Sequence, residues 1–150
     1  SKGGDTEREA NMHYFVNGQP VLNQNIGIRI QGNFSRIYPL KSLNMYARQE
    51  YGDDTFDYPL YSDQPYQVYK RAVLKNNGSD MYNTVFRDPL VNELAKGLNT
   101  QTEAYQPVIS FINGEYWGIM SLRERYDEKF FNRVFGIPEN EIELLENDGY

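Results

Sequence analysis

Cysteine is absent from this chain, histidine occurs once, at His13, and tryptophan once, at Trp117. The first absence removes disulfides, thiolate nucleophiles and cysteine-ligated zinc together. The second leaves no histidine pair for a metal, and no triad is expected around His13. Positive charge is short as well: 15 Lys and Arg stand against 21 Asp and Glu, for a net charge of −6. A chain that binds nucleic acid broadly needs a basic face, so no nucleic-acid partner is expected. No apolar run approaches the length of a transmembrane helix, and the opening SKGGDTEREA carries no apolar targeting segment. A soluble piece with no membrane partner is therefore expected, any signal peptide lying outside it. No internal repeat or low-complexity linker divides the 150 residues, which is the size of one ordinary domain.

What the chain has in quantity is aromatic side chains, with 13 Tyr and 8 Phe contributing to an aromatic content of 15%. That is enough to build a core and leave rings for a cleft. Asn-Gly occurs between apolar runs at Asn17-Gly18 and Asn113-Gly114, and the type I′ turn favoured there needs positive φ at both central positions. Residues 108–112 and 115–122 are therefore read as an antiparallel hairpin. Residues 14–16 and 19–22 are read as a second one, with Pro20 confining its strand to an edge. Segment 51–66 is rich in Asp, Pro and Tyr without a period and reads as a long loop, of the kind that is functional or mobile. Asp53, Asp54 and Asp57 within it lack the spacing of a dedicated calcium loop and read as a solvated acidic turn.

Residues 71–75 read as a short strand. A helix follows, with Asp88 as its N-cap, Pro89 in its first turn, an apolar stripe of Leu90, Val91, Leu94, Ala95 and Leu98, and Asn99 closing its end. Residues 84–87 form a preceding turn in this reading. A last helix spans 127–135 and stops at Gly136-Ile137-Pro138, before a strand or extended segment at 142–145.

The stretch 26–48, IGIRIQGNFSRIYPLKSLNMYAR, carries the most chemistry. Ile26, Ile28 and Ile30, and again Leu43, Met45 and Ala47, alternate as strands with one buried face. Between them lies a polar, basic turn in which Gly32 permits close backbone approach, while Arg36 and Lys41 supply donors for a phosphate or carboxylate. Lys41 shares the parity of Leu43 and Met45, which points it toward the covered face if the strand begins there. The competing reading is a solvated hairpin end with surface cations.

The blocks RIQGNFSR, PLKSLNMYAR, VLKNNGSDMYNTVFRDPL and FINGEYWGIMSLRERYDEKFF, in that order, resemble the CotH family, named for a bacterial spore-coat protein and understood as atypical, secreted-type protein kinases. The family-like region is 26–145, with 1–25 as an N-terminal hairpin extension. Gln31, Leu40 and Asn44 depart from the family's pattern and leave the turn less cationic. The resemblance implies an α+β fold: an antiparallel sheet with hairpins plus two or three helices, like the small nucleotide lobe of a protein kinase. It implies ATP and magnesium as cofactors, a protein Ser/Thr hydroxyl as substrate, and a secreted or cell- or spore-surface location.

On the same analogy residues 31–41 cover nucleotide phosphates, so that Gly32, Asn33, Ser35, Arg36 and Lys41 form the phosphate site, with Glu124 near the hinge at 123–127. Arg87 ties the following helix to the sheet, Asp88 caps it, and Glu93 is a candidate ion-pair partner for Lys41. The family's magnesium and base aspartates lie after the NGEYWG hairpin. Residues 1–150 are therefore expected to be the N-terminal part of such a domain, silent in phosphoryl transfer without its remainder. Such a half-domain is expected to expose apolar surface, with Trp117, Tyr126 and Phe130 near the hinge, and to form homo-oligomers through it. The alternative is a non-catalytic surface, adhesion or cellulosome-associated binding module on the same fold. Tyr116 and Trp117 point to opposite strand faces in this reading, His13 carries no role, and Asn33-Phe34-Ser35 and Asn77-Gly78-Ser79 are formal glycosylation sequons.

Overall fold

Two Asn-Gly turns set the ends of the sheet. In the computed structural model, which describes residues 7–62, 64–65, 68–80, 82–98 and 100–145, Asn17 and Gly18 have φ of 53° and 76°, and Asn113 and Gly114 have φ of 52° and 81°. Both pairs thus hold the conformation that the hairpin reading requires. The first turn joins β1 (Arg8–Val16) to β2 (Gln19–Gln31), and the second joins β7 (Tyr105–Ile112) to β8 (Glu115–Glu124). Both hairpins are longer than expected. The short strand at 19–22 and the strand beginning at Ile26 are one 13-residue strand.

With β3 (Ser42–Tyr46) and β6 (Arg71–Lys75) these form one antiparallel six-stranded sheet in the order β1-β2-β3-β6-β8-β7. Two short strands, β4 (Phe56–Asp57) and β5 (Val68–Tyr69), pair separately. Pro20 therefore lies on an internal strand, correcting its assignment to an edge. It is tolerated because β3 covers only Gly27 to Gln31 of β2, and the Pro20 end faces β1 alone across a register shift.

Alternation sorts the sheet's two faces. On one face Ile28, Met45, Ala72 and Leu74 line up by direct cross-strand pairing, with Leu122 opposite Leu74. This face packs on Phe56, Leu60, Tyr61 and Tyr69. Three of those residues come from the stretch read as a long loop, and Phe56, Leu60 and Tyr61 are at most 1% exposed. Segment 51–61 is thus a lid of core side chains, each burial worth roughly 1.5–3 kcal/mol. The aromatic residues do here what a second sheet does in a sandwich: Tyr61 meets Tyr69 edge-on, 5.1 Å between centroids.

Helix α1 (Arg87–Ala95) follows β6 and ends before Gly97, whose φ of 90° turns the chain. Asn99, expected to close it, lies outside the described residues. The expected stripe does not enter the core. Leu90, Val91, Leu94 and Leu98 are 43–72% exposed, and Pro89 is the buried residue of the helix. Helix α2 (Glu128–Phe135) has the expected ends: Asp127 accepts hydrogen bonds from the Lys129 and Phe130 amides, and Gly136 is left-handed at φ 70°. Residues 142–145 follow a 3₁₀ turn at Glu139–Glu141 without joining a strand.

Phe130 is 3% exposed, which corrects its assignment to an open lobe surface, and Trp117 and Tyr126 are half-buried. The exposed apolar side chains of the hairpin are instead Ile109, Phe111, Tyr116 and Ile119. No helix of the described residues is long and apolar enough to cross a membrane.

Candidate functional site

The basic turn folds on itself. A Cβ at Gly32, where φ is 104°, would collide with Ser35 Oγ, so the missing side chain serves the turn's own closure. Phe34–Ile37 forms a 3₁₀ turn, Asn33 precedes it, and the Tyr38 amide bonds to the Ser35 carbonyl at 3.3 Å. Arg36 donates through Nε to the Gly32 carbonyl and through Nη2 to the Ile30 carbonyl at 3.1 Å. Lys41 Nζ donates to the carbonyls of Arg36 and Tyr38, at 2.6 Å each. The strand begins at Ser42, one residue beyond Lys41, so strand parity does not set the direction of that ammonium.

The turn is fastened to the end of β6. Asn76 is 1% exposed; its Nδ2 donates to the Leu40 carbonyl at 2.6 Å, and its backbone amide donates to Ser42 Oγ at 2.9 Å. Asn77, with φ of 62°, accepts from Ser121 Oγ, and its Nδ2 has no hydrogen-bond partner among the described residues. At 8% exposed, the asparagine of the second sequon is buried. Ser42, Asn76, Asn77, Asp80, Ser121 and Arg123 are all buried, which makes this end of the sheet a polar interior next to the turn.

Arg123 and Lys75 share the face opposite the apolar core, because Val73 pairs with Arg123 and Lys75 with Ser121. Both reach Asp88 in the first turn of α1. Arg123 Nη1 lies 2.8 Å and Lys75 Nζ 3.4 Å from Asp88 Oδ2, and Arg123 Nη1 is also 2.7 Å from Glu103 Oε2. Partial burial pushes the Asp88 carboxyl up, but the attraction of Arg123 and Lys75 outweighs it, and its pKa lies below the ordinary value.

Asp88 is thus the tie between helix and sheet, and it does not cap the helix. The cap position is Phe86, without a side-chain bond, and Asp80 does the capping from a distance: its Oδ2 accepts from the Arg87 amide at 3.0 Å and from Thr84 Oγ1 at 2.7 Å. The Thr84 hydroxyl first and then the Arg87 amide lower the Asp80 pKa. Arg87 does not tie the helix to the sheet; it is largely exposed and its guanidinium returns to Asp80 at 3.3 Å. Glu93 pairs with Lys96 at 2.6 Å, and among the described residues no ion pair joins it to Lys41.

Glu124 lies on the other face of β8, since alternation carries it away from Arg123 and opposite Ala72. It is 4% exposed and pairs with Arg133 of α2, whose guanidinium also lies 5.0 Å from the Tyr69 ring centroid. The connector after β8 is clamped by Arg71, whose Nη1 is 2.7 Å from Asp127 Oδ2. Trp117 is half-buried and Tyr116 exposed, edge-on to Phe111; His13 is exposed on β1 beside Phe15. Among the described residues no group of three or more His, Asp or Glu side chains is placed to hold a metal ion.

Sequence reasoning therefore missed Lys75, Arg123, Asp80 and Glu103. One signal was available for Lys75: AVLK is a buried strand ending in a lysine, followed 13 residues later by an acid at a helix start. Arg123 offered none, because its burial depends on which strand lies beside β8.

No curated protein matches this chain. A family model described as CotH kinase protein matches residues 28–148, most of the chain and all of the elements that build the site, so the chain belongs to the CotH kinase family.

Proposed function

We propose that this chain is the nucleotide-binding half of a CotH-like protein kinase domain, acting in the transfer of the ATP γ-phosphoryl group to protein Ser/Thr hydroxyls. The observation that carries the reading is the pairing of Lys75, at the end of a central strand, with Asp88 on the helix that follows. Protein kinases hold a strand lysine against a helix carboxylate in the same order, and that lysine then meets the nucleotide phosphates. The basic turn precedes this strand in the chain and is bonded to its end through Asn76, as a phosphate-covering turn would need to be.

The residues fit the nucleotide better than the metal. Lys75, Arg36 and Lys41 are cations on or beside one end of the sheet, and Asn77 Nδ2 is a buried donor without a partner among the described residues. These would hold the phosphates. Magnesium would supply neutralisation of phosphate charge in such a transfer. Asp80 and Asp88 are already engaged by amides and cations, so the described residues offer it no acidic set. A protein substrate and a secreted, cell-surface or spore-surface location belong to the same reading and rest on the family alone.

One observation favours a second reading, a non-catalytic binding module on this fold: Arg36 and Lys41 bond to the turn's own carbonyls, so the turn closes without a ligand. Calorimetric titration of the full-length protein with Mg-ATP separates the two. The kinase reading expects binding that weakens about tenfold or more on Lys75→Ala, from loss of a charge-assisted bond. Absence of binding, or equal affinity in the variant with the fold intact, would favour the module.

A further inference from the structure

Helix α1 reaches the sheet through charge rather than through apolar packing. Its leucines and valine face outward, with Leu90, Val91 and Leu94 43%, 59% and 72% exposed. What crosses to the sheet is Asp88, with help from Asn92, whose Oδ1 accepts from the Glu103 amide at 3.2 Å.

The two cations that hold Asp88 are unlike each other. The Lys75 side chain is 35% exposed and stands 3.4 Å away. The Arg123 side chain is 3% exposed, its Nη1 stands 2.8 Å away, and the same Nη1 is also held by Glu103 at 2.7 Å. The guanidinium lies 5.9 Å from the centroid of the Tyr105 ring. Its Nε and Nη2 have no hydrogen-bond partner among the described residues, so its bonding runs through Nη1 to the two carboxylates. A buried cation that depends on two carboxylates holds them more tightly than a solvated lysine does, because the low local dielectric strengthens the attraction and separation would strand the charge.

Resting on the nucleotide-lobe reading, we propose that Arg123 is a positioning residue for Lys75: it latches Asp88, and with it helix α1, onto the sheet, and the latched carboxylate orients the lysine. Arg123 itself touches no phosphate in this scheme. Because the outer face of α1 is not packed into the core, opening the latch releases the helix while the sheet and its aromatic lid stay folded. The latch is thus the point at which the position of α1 governs Lys75.

Hydrogen exchange of the 91–95 amides in the nucleotide-free, full-length protein tests the latch without assuming any nucleotide chemistry. Asp88→Asn keeps the shape of a half-exposed side chain and should speed exchange at 91–95 about tenfold or more, leaving β6 and β8 amides unchanged. Arg123→Gln should do the same, Arg123→Lys should fall between it and the wild type, and the double variant should be no faster than either single one. Unchanged exchange in Asp88→Asn, or additive speeding in the double variant, would overturn the latch.

Should Arg123→Gln fail to fold, Glu103→Gln serves instead. It leaves Arg123 to Asp88 alone, so exchange at 91–95 should hold or slow, and speeding would count against the proposal. Mg-ATP titration then separates the two levels. If Lys75→Ala weakens binding and Asp88→Asn does not, positioning is wrong and the nucleotide reading stands. If Lys75→Ala has no effect while the exchange results hold, the nucleotide reading fails and the latch stands.

Discussion

Asn76 and Leu40 are 36 residues apart in the chain, and the Asn76 side-chain amide donates to the Leu40 carbonyl at 2.6 Å. Its Oδ1 accepts from the Gly78 amide at 3.0 Å, so one buried side chain joins the basic turn to the polar segment after β6. Asn76→Ala leaves a carbonyl and an amide without partners in a buried setting. The expected cost is about 2–6 kcal/mol, at roughly 1–3 kcal/mol per stranded group. Urea unfolding measures it, and a loss below about half a kcal/mol would show that the turn is held by other bonds.

The turn also yields a double-mutant cycle. Gly32→Ala meets two obstacles, a φ of 104° and a collision with Ser35 Oγ. Ser35→Ala removes the second only, since the Ser35 Cβ itself would lie at an ordinary 3.4 Å. Gly32→Ala should destabilise by roughly 1–3 kcal/mol for the backbone strain and more for the collision, and it should cost less in the Ser35→Ala background than alone. Strict additivity in thermal or urea unfolding would mean that the two side chains never meet.

What could be read from residues alone follows the range over which each signal acts. Both hairpin turns were legible because Asn-Gly states its own φ, and the ends of α2 because Asp127 and Gly136 are local caps. The lid was not legible, since Phe56, Leu60 and Tyr61 have no period and are buried only because a sheet face lies above them. The stripe on α1 misled for a related reason: its spacing fits a core helix, yet the link to the sheet is Asp88. Near the candidate site the basic turn was legible and the polar contacts of Asn76 that fasten it were not. The pairing of Arg123 with Asp88 requires knowing that β8 lies beside β6, which no local pattern states.

Acid should release α1 before it unfolds the sheet. Asp80 is held below the ordinary carboxylate value by the Thr84 hydroxyl and the Arg87 amide, and Asp88 by Arg123 and Lys75 against its own partial burial. A depressed folded-state value means that both groups add stability above the unfolded value near 3.8, and that this is lost as pH falls through the lower folded values. Amide exchange or chemical shifts of residues 87–95, followed from about pH 6 to about pH 2, should show the helix opening in that window. Asp80→Asn should weaken the helix at neutral pH and flatten the acid response. An acid midpoint unchanged by the substitution would remove Asp80 from the account.

Tyr61 reverses the usual expectation for truncating a buried side chain. Its ring is fully buried against Tyr69, while its hydroxyl has no hydrogen-bond partner among the described residues. Burying an unpaired hydroxyl is costly, so Tyr61→Phe keeps the packing, removes the cost, and should leave stability unchanged or raise it by about 1 kcal/mol. The alkaline limb provides an internal control. Burial first, and the neighbouring Tyr69 next, push the Tyr61 pKa well above 10. The folded state therefore favours the neutral phenol, adding stability that is present below the unfolded value and lost as pH rises through the folded one. Tyr61→Phe should accordingly lessen the loss of stability on going above about pH 10 as well as shifting the neutral-pH midpoint. A destabilisation of 1 kcal/mol or more at neutral pH, to within about half a kcal/mol, would show that the hydroxyl has a partner and that the lid is held by a polar bond as well as by its rings.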